Sequence, residues 1–170
     1  VILAVVITIV IFPWMFGLAG PEPDSKPVIP VPTFSSPEST SDMPSFTVAA
    51  YDSSAASKSQ ADYICDGIQD QNEINAAFNA LSQGGVVVLS EGTFKCDSSV
   101  LPTEQSTLRG QGDTKTFLKF TGNGQLLVDK EYVTLEKFHM SGSDAISKQW
   151  EGLMMIRAGH CIVRDITGTC

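Results

Sequence analysis

The chain has 170 residues, 42% of them hydrophobic, with 19 acidic against 11 basic side chains and a net charge of −8. That length allows one hydrophobic core, and the acidic balance suits solubility outside a membrane. Lys and Arg are scattered singly, with no basic stripe and no interleaved aromatics, so no nucleic-acid partner is expected.

Residues 1–20 carry no charge and are rich in β-branched residues. Two readings fit: a transmembrane anchor, since about twenty residues at ~1.5 Å rise just span a bilayer core, or a signal peptide with Gly17-Leu18-Ala19 as its cleavage site. The run also resembles the hydrophobic N-terminus of archaeal type IV pilin-like proteins. Residues 21–45 hold Pro21, Pro23, Pro27, Pro30, Pro32, Pro37 and Pro44 among Ser, Thr and charged residues. This spacing rules out a helix and predicts an extended linker.

The folded part is expected from about residue 46, where the weakly alternating stretch Phe46–Ser54 reads as a first strand. Ala55–Ala61 reads as a short helix or loop, and Asp62–Cys65 as a short strand. Asp70 precedes an apolar-periodic run and Glu73 follows three residues later, the spacing of a capping box. Ile74, Ala77, Phe78 and Leu81 form one apolar stripe, which predicts a helix over 71–82 stopped by Gly84-Gly85. Val86–Leu89 is an unbroken apolar run, expected as a strand buried on both sides. Ser90-Glu91-Gly92 then turns the chain into Thr93–Cys96.

Beyond Cys96 short apolar segments alternate with Gly, Asn and Asp. STLRGQG, VTLEKFHM and CIVRDIT align so that Leu108, Leu135 and Val163 share a register, 27 and 28 residues apart. A recurring phrase at near-constant spacing is the mark of a solenoid, and no Asn-Gly or Asp-Gly pair links adjacent apolar strands into hairpins. The expected inward ladder is Leu108, Leu135 and Val163, with Phe120, Phe138 and Ile166 beside it.

The order D-G-x-x-D-x-x-E-I-N-A-A, G-G-V-V-x-L-x-x-G-T-F and LPTEQSTLRGQG resembles the N-terminal end of right-handed parallel β-helix proteins of the pectate-lyase-like superfamily, in the form found in surface proteins of archaea and bacteria. The resemblance covers about residues 46–170. It implies an all-β fold: a right-handed parallel β-helix solenoid with an N-terminal capping α-helix, preceded here by the hydrophobic helix and the proline-rich linker. The domains expected are thus 1–20 anchor or signal peptide, 21–45 linker, and 46–170 the N-terminal part of a β-helix. With Val first and Cys last, the sequence reads as a fragment of a longer protein.

The resemblance leaves activity open, because the superfamily includes lyases, glycosidases and non-catalytic adhesins. Its enzymes use an Arg or Lys base with Asp-held Ca²⁺, or clustered Asp residues. Here the catalytic candidates reduce to His160, Arg157, Arg164 and Asp165, with Asp144 nearby in sequence, and no complete constellation is present. Asp66, Asp70 and Glu73 are the metal candidates, but their spacing lacks the ligand pattern of a Ca²⁺ loop, so neither Ca²⁺ nor any other cofactor is expected. Cys65, Cys96, Cys161 and Cys170 lack zinc spacing. Cys65 and Cys96 either form a disulfide that pins the helix to its neighbouring strand or act as small apolar fillers. The function expected is that of a membrane-anchored, extracytoplasmic protein that binds or structures polysaccharide as an adhesin or envelope component. The alternatives are secretion after signal cleavage, and a polysaccharide lyase or glycoside hydrolase whose catalytic strands lie further along.

Overall fold

A computed structural model of the chain describes residues 43–145 and 152–169. The apolar segment 1–20 and the proline-rich stretch up to residue 42 lie outside the described residues, and so do the expectations attached to them. Among the described residues no helix is long and apolar enough to cross a membrane. The elements run β1 (Ser45–Ala49), α1 (Ala55–Gln60), β2 (Tyr63–Ile64), α2 (Gln71–Ala80), β3 (Gly85–Leu89), β4 (Gly92–Cys96), β5 (Ser106–Arg109), β6 (Thr116–Gly122), β7 (Leu126–Val128), β8 (Thr134–Ala145), β9 (Met154–Ile156) and β10 (Ile162–Thr169).

This is a mostly-strand fold in which every strand pair among the described residues is parallel. Parallel neighbours exclude tight hairpins, which is why the turn pairs of a β-meander are missing from the sequence. The order β2-β1-β3-β5-β8-β6-β4 turns a corner at β8, which pairs with β5 through its first half and with β6 through its second. The bend between the halves falls at Lys137, whose φ is +62°, and Asp165 repeats it in β10 with φ +54°. The result is a curled, all-parallel sheet compatible with a β-helix-like solenoid. A separate pair, β7 with β9, is extended by a bridge from Val100 to Leu126.

The apolar residues stack in register. Val87 pairs with Leu108, Leu108 with Leu135, and Leu135 with Val163, as the recurring phrase predicts. Phe94, Leu118 and Met140 make a second column, and Phe138 lies beside Ile166. Most of these side chains are fully buried, each worth about 1.5–3 kcal/mol of transfer free energy. Val163 departs from this, being 43% exposed because β10 lies at the sheet's margin. Val86–Leu89 also departs from expectation: Val87 and Leu89 are buried while Val86 and Val88 are half-buried, so the run has one core face rather than two.

Helix α2 buries Ile74, Ala77 and Phe78 and packs over β1 to β4. It ends earlier than the Gly-Gly pair suggests, at Leu81, whose extended backbone returns its N–H to the Phe78 carbonyl at 3.0 Å. Gly84 and Gly85 serve the next element instead. Gly84, at φ +85°, heads a column of left-handed corner residues: Gln105 (+56°), Tyr132 (+58°) and His160 (+56°) occupy the equivalent place before β5, β8 and β10.

At the β3–β4 corner Glu91 ties the sheet to α1. Its carboxylate accepts the Ser54 N–H at 2.9 Å and the Ser57 hydroxyl at 2.8 and 2.9 Å. The Ser54 N–H first, and the Ser57 hydroxyl after it, hold the Glu91 pKa at about 2 against an ordinary 4.5. A depressed carboxylate pKa contributes stability above pH 4.5 that is lost as the pH falls towards 2. Glu91→Gln is therefore expected to flatten this part of the acid-unfolding profile followed by circular dichroism, and an unchanged profile would refute the assignment.

Candidate functional site

The strand register gathers onto one outer face residues that are far apart in sequence. Glu136 of β8 is only 1% exposed, yet it is flanked by Arg109 of β5 and Arg164 of β10, one strand to either side. Arg109 Nε donates to Glu136 Oε1, and Arg164 donates to Oε2 through Nε at 2.5 Å and through Nη2. Burial raises the Glu136 pKa, but the two guanidiniums outweigh it and the net shift is downward. Glu136 is thus an ionised group held between two half-exposed cations.

Beside this triad, at the Lys137 and Asp165 bends, lies a groove of about 530 Å³ lined by Gln111, Gly112, Asp113, Lys137, Asp165, Ile166 and Thr167. Its walls come from the β5–β6 connection, from β8 and from β10. Across the bend, His139 bonds through Nδ1 to Thr167 Oγ1 at 2.8 Å and through Nε2 to Thr169 Oγ1 at 3.1 Å. The Phe117 ring meets His139 edge-on at 5.7 Å between centroids. The groove therefore offers amide, hydroxyl, ammonium and carboxylate groups, while His139 reaches it through Thr167 and Phe117 through His139. That set is predominantly polar, with Ile166 the one aliphatic hydrophobic side chain among the groove's lining residues.

The four catalytic candidates divide. Arg164 belongs to the ionic triad and Asp165 lines the groove. His160 and Arg157 are not among the groove's lining residues. His160 stacks on Tyr132 at 4.8 Å with its Nδ1 3.8 Å from Glu131, and Arg157 lies 3.9 Å from Asp129. Asp144 stands in register with Thr121 on β6. Gln111, Asp113, Phe117, Glu136, Lys137, His139 and Thr167 go unmarked in the sequence. The signal that could have found them is the phrase alignment itself, which already sets Arg164 against Glu136.

The carboxylates at the start of α2 correct the sequence reading. Asp70 does not cap the helix: its Oδ1 accepts the Gly67 N–H at 2.9 Å and its Oδ2 accepts the Lys95 N–H at 2.7 Å, with no side-chain bond into the first turn. The reciprocal box with Glu73 is absent because Asp70, fully buried, is committed to the neighbouring strand β4. Asp66 bonds locally to the Ile68 N–H at 2.8 Å. Of the two readings for Cys65 and Cys96 the structure has the second: both thiols are free and buried in the core, and burial foremost pushes both pKa values up. What does converge is Cys65, Asp70 and Glu73, whose donor atoms lie within 4.8 Å of one another.

Comparison with protein families, with curated proteins and with solved structures gives no match.

Proposed function

We propose that this chain is part of a right-handed parallel β-helix of the pectate-lyase-like kind, held at the cell surface through residues 1–20 and the proline-rich linker, and that it binds polysaccharide without cleaving it. The observation that carries the binding reading is the groove at the Lys137 and Asp165 bends, where polar groups of both charges adjoin the Phe117–His139 pair. Hydroxyl-rich ligands are held by a few convergent polar and charged groups of this kind. The non-cleaving part rests on the division of the candidates: His160 and Arg157 stand apart from the groove that Asp165 lines.

A second reading, a glycoside hydrolase, draws on one observation, the presence of both Asp113 and Asp165 in the groove. Affinity electrophoresis through gels containing neutral or acidic polysaccharides separates the two. Retardation is expected with at least one polymer, with Lys137→Ala and His139→Ala each weakening it about tenfold, equivalent to ~1.4 kcal/mol. Neither reducing ends nor unsaturated products should appear. Product release that Asp165→Asn abolishes would establish the enzyme, and mobility unchanged in every gel would end the binding reading.

A further inference from the structure

We propose that Cys65, Asp70 and Glu73, the last of them half-buried, form a binding site for a thiophilic divalent cation of the zinc type at the start of α2. Cys65 is 2% exposed and Asp70 fully buried, and the donor atoms of all three residues lie within 4.8 Å of one another. A second observation points to a missing partner: Glu73 Oε2 is shut off from solvent and accepts no hydrogen bond. A buried carboxylate oxygen without a donor is costly, and a cation in the middle of the three would relieve it.

The chemistry of the set selects the ion. One thiolate and two carboxylates match the sulfur and oxygen ligands of zinc, whereas calcium and magnesium take oxygen alone. Bond lengths of about 2.0–2.3 Å require the donors to draw in by roughly 1 Å, which the Glu73 side chain can supply since no hydrogen bond to Oε2 restrains it. Asp70 is already oriented by the Gly67 and Lys95 N–H groups, and each of its oxygens keeps a lone pair for the metal. Three protein ligands leave a fourth position for water. Binding displaces the Cys65 thiol proton to solvent, so two positive charges enter and one leaves, and affinity rises with pH.

Cobalt(II) titration of the full chain, in detergent and under reducing conditions, reads the site directly. Expected are a near-ultraviolet thiolate-to-cobalt charge-transfer band, its loss on adding zinc, and no competition from calcium or magnesium. Cys65→Ser should abolish the band. Glu73→Gln should weaken cobalt binding at least tenfold with the far-ultraviolet circular dichroism unchanged, because no hydrogen bond to Oε2 is lost. Asp66→Asn, outside the cluster, should bind as the unaltered chain does. Absence of the band, its persistence in Cys65→Ser, or undiminished affinity in a folded Glu73→Gln protein would each overturn the proposal. Should Cys65→Ser not fold, the Glu73→Gln comparison alone decides.

Discussion

Replacing Gly85 by Ala is expected to lower the stability by about 3 kcal/mol or more, the combined scale of backbone strain and overpacking. Gly85 has φ +147°, a conformation that side chains rarely adopt, and a Cβ built there would meet the Pro44 carbonyl oxygen, Leu81 Cδ2 at 2.7 Å and Pro44 Cγ at 3.1 Å. None of these can move cheaply. The Pro44 carbonyl accepts the Val86 N–H at 2.9 Å at the start of β3, and Leu81 closes α2 against the core. Gly112 supplies the control: its φ is +129° but its Cβ would have nothing within 4 Å, so Gly112→Ala carries the conformational cost without the collision. Urea unfolding should show the midpoint falling markedly further for Gly85→Ala than for Gly112→Ala. Equal shifts would mean that the region around Pro44 and Leu81 adjusts and that the close approach is not what requires glycine.

A protein comprising residues 46–170 is expected to self-associate at micromolar concentrations and to bind a hydrophobic dye. β10 pairs with β8 on one side only, and no described strand meets its other edge. Ile162 and Val163 are 55% and 43% exposed, although their register partners on β8 include Leu135, which is fully buried. A parallel edge carrying unpaired N–H and C=O groups next to apolar side chains is a template for further strand addition. Placing Lys at positions 162 and 163 should restore a monomer, as judged by analytical ultracentrifugation, without lowering the helix and strand content. A compact, dye-negative monomer for the unaltered sequence would show that this edge is covered by residues other than those described.

What was legible in the sequence was local or periodic. The apolar stripe of α2 follows from 3.6-residue spacing, and the Leu108, Leu135 and Val163 column follows from a phrase repeated at 27 and 28 residues. The helix cap is not legible there, because spacing within a segment cannot reveal that Asp70 is claimed by the Lys95 N–H, 25 residues further on. The groove was hidden for the same reason, since Gln111, Lys137 and Thr167 meet only once the register is fixed. The bends were hidden for a different one. Gln105, Tyr132, Lys137, His160 and Asp165 hold positive φ without being Gly or Asn, so turn chemistry does not announce them. Stacked parallel strands set the backbone there, and tertiary structure overrides the residue's own preference.

The columns of left-handed corners carry a consequence for how such a chain tolerates change. Register partners along the first column are separated by 21 residues between Val87 and Leu108, but by 27 and 28 at the next two steps, while along the second column the steps are 24 from Phe94 to Leu118 and 22 from Leu118 to Met140. Contour length is thus free to vary between corners while the strands keep their pairing. An insertion in the β5–β6 connection, which contributes Gln111, Gly112 and Asp113 to the groove, would reshape that wall and leave the stacked core where it is. Groove shape and fold stability are in this way assigned to different stretches of the same polypeptide, and one can drift without the other.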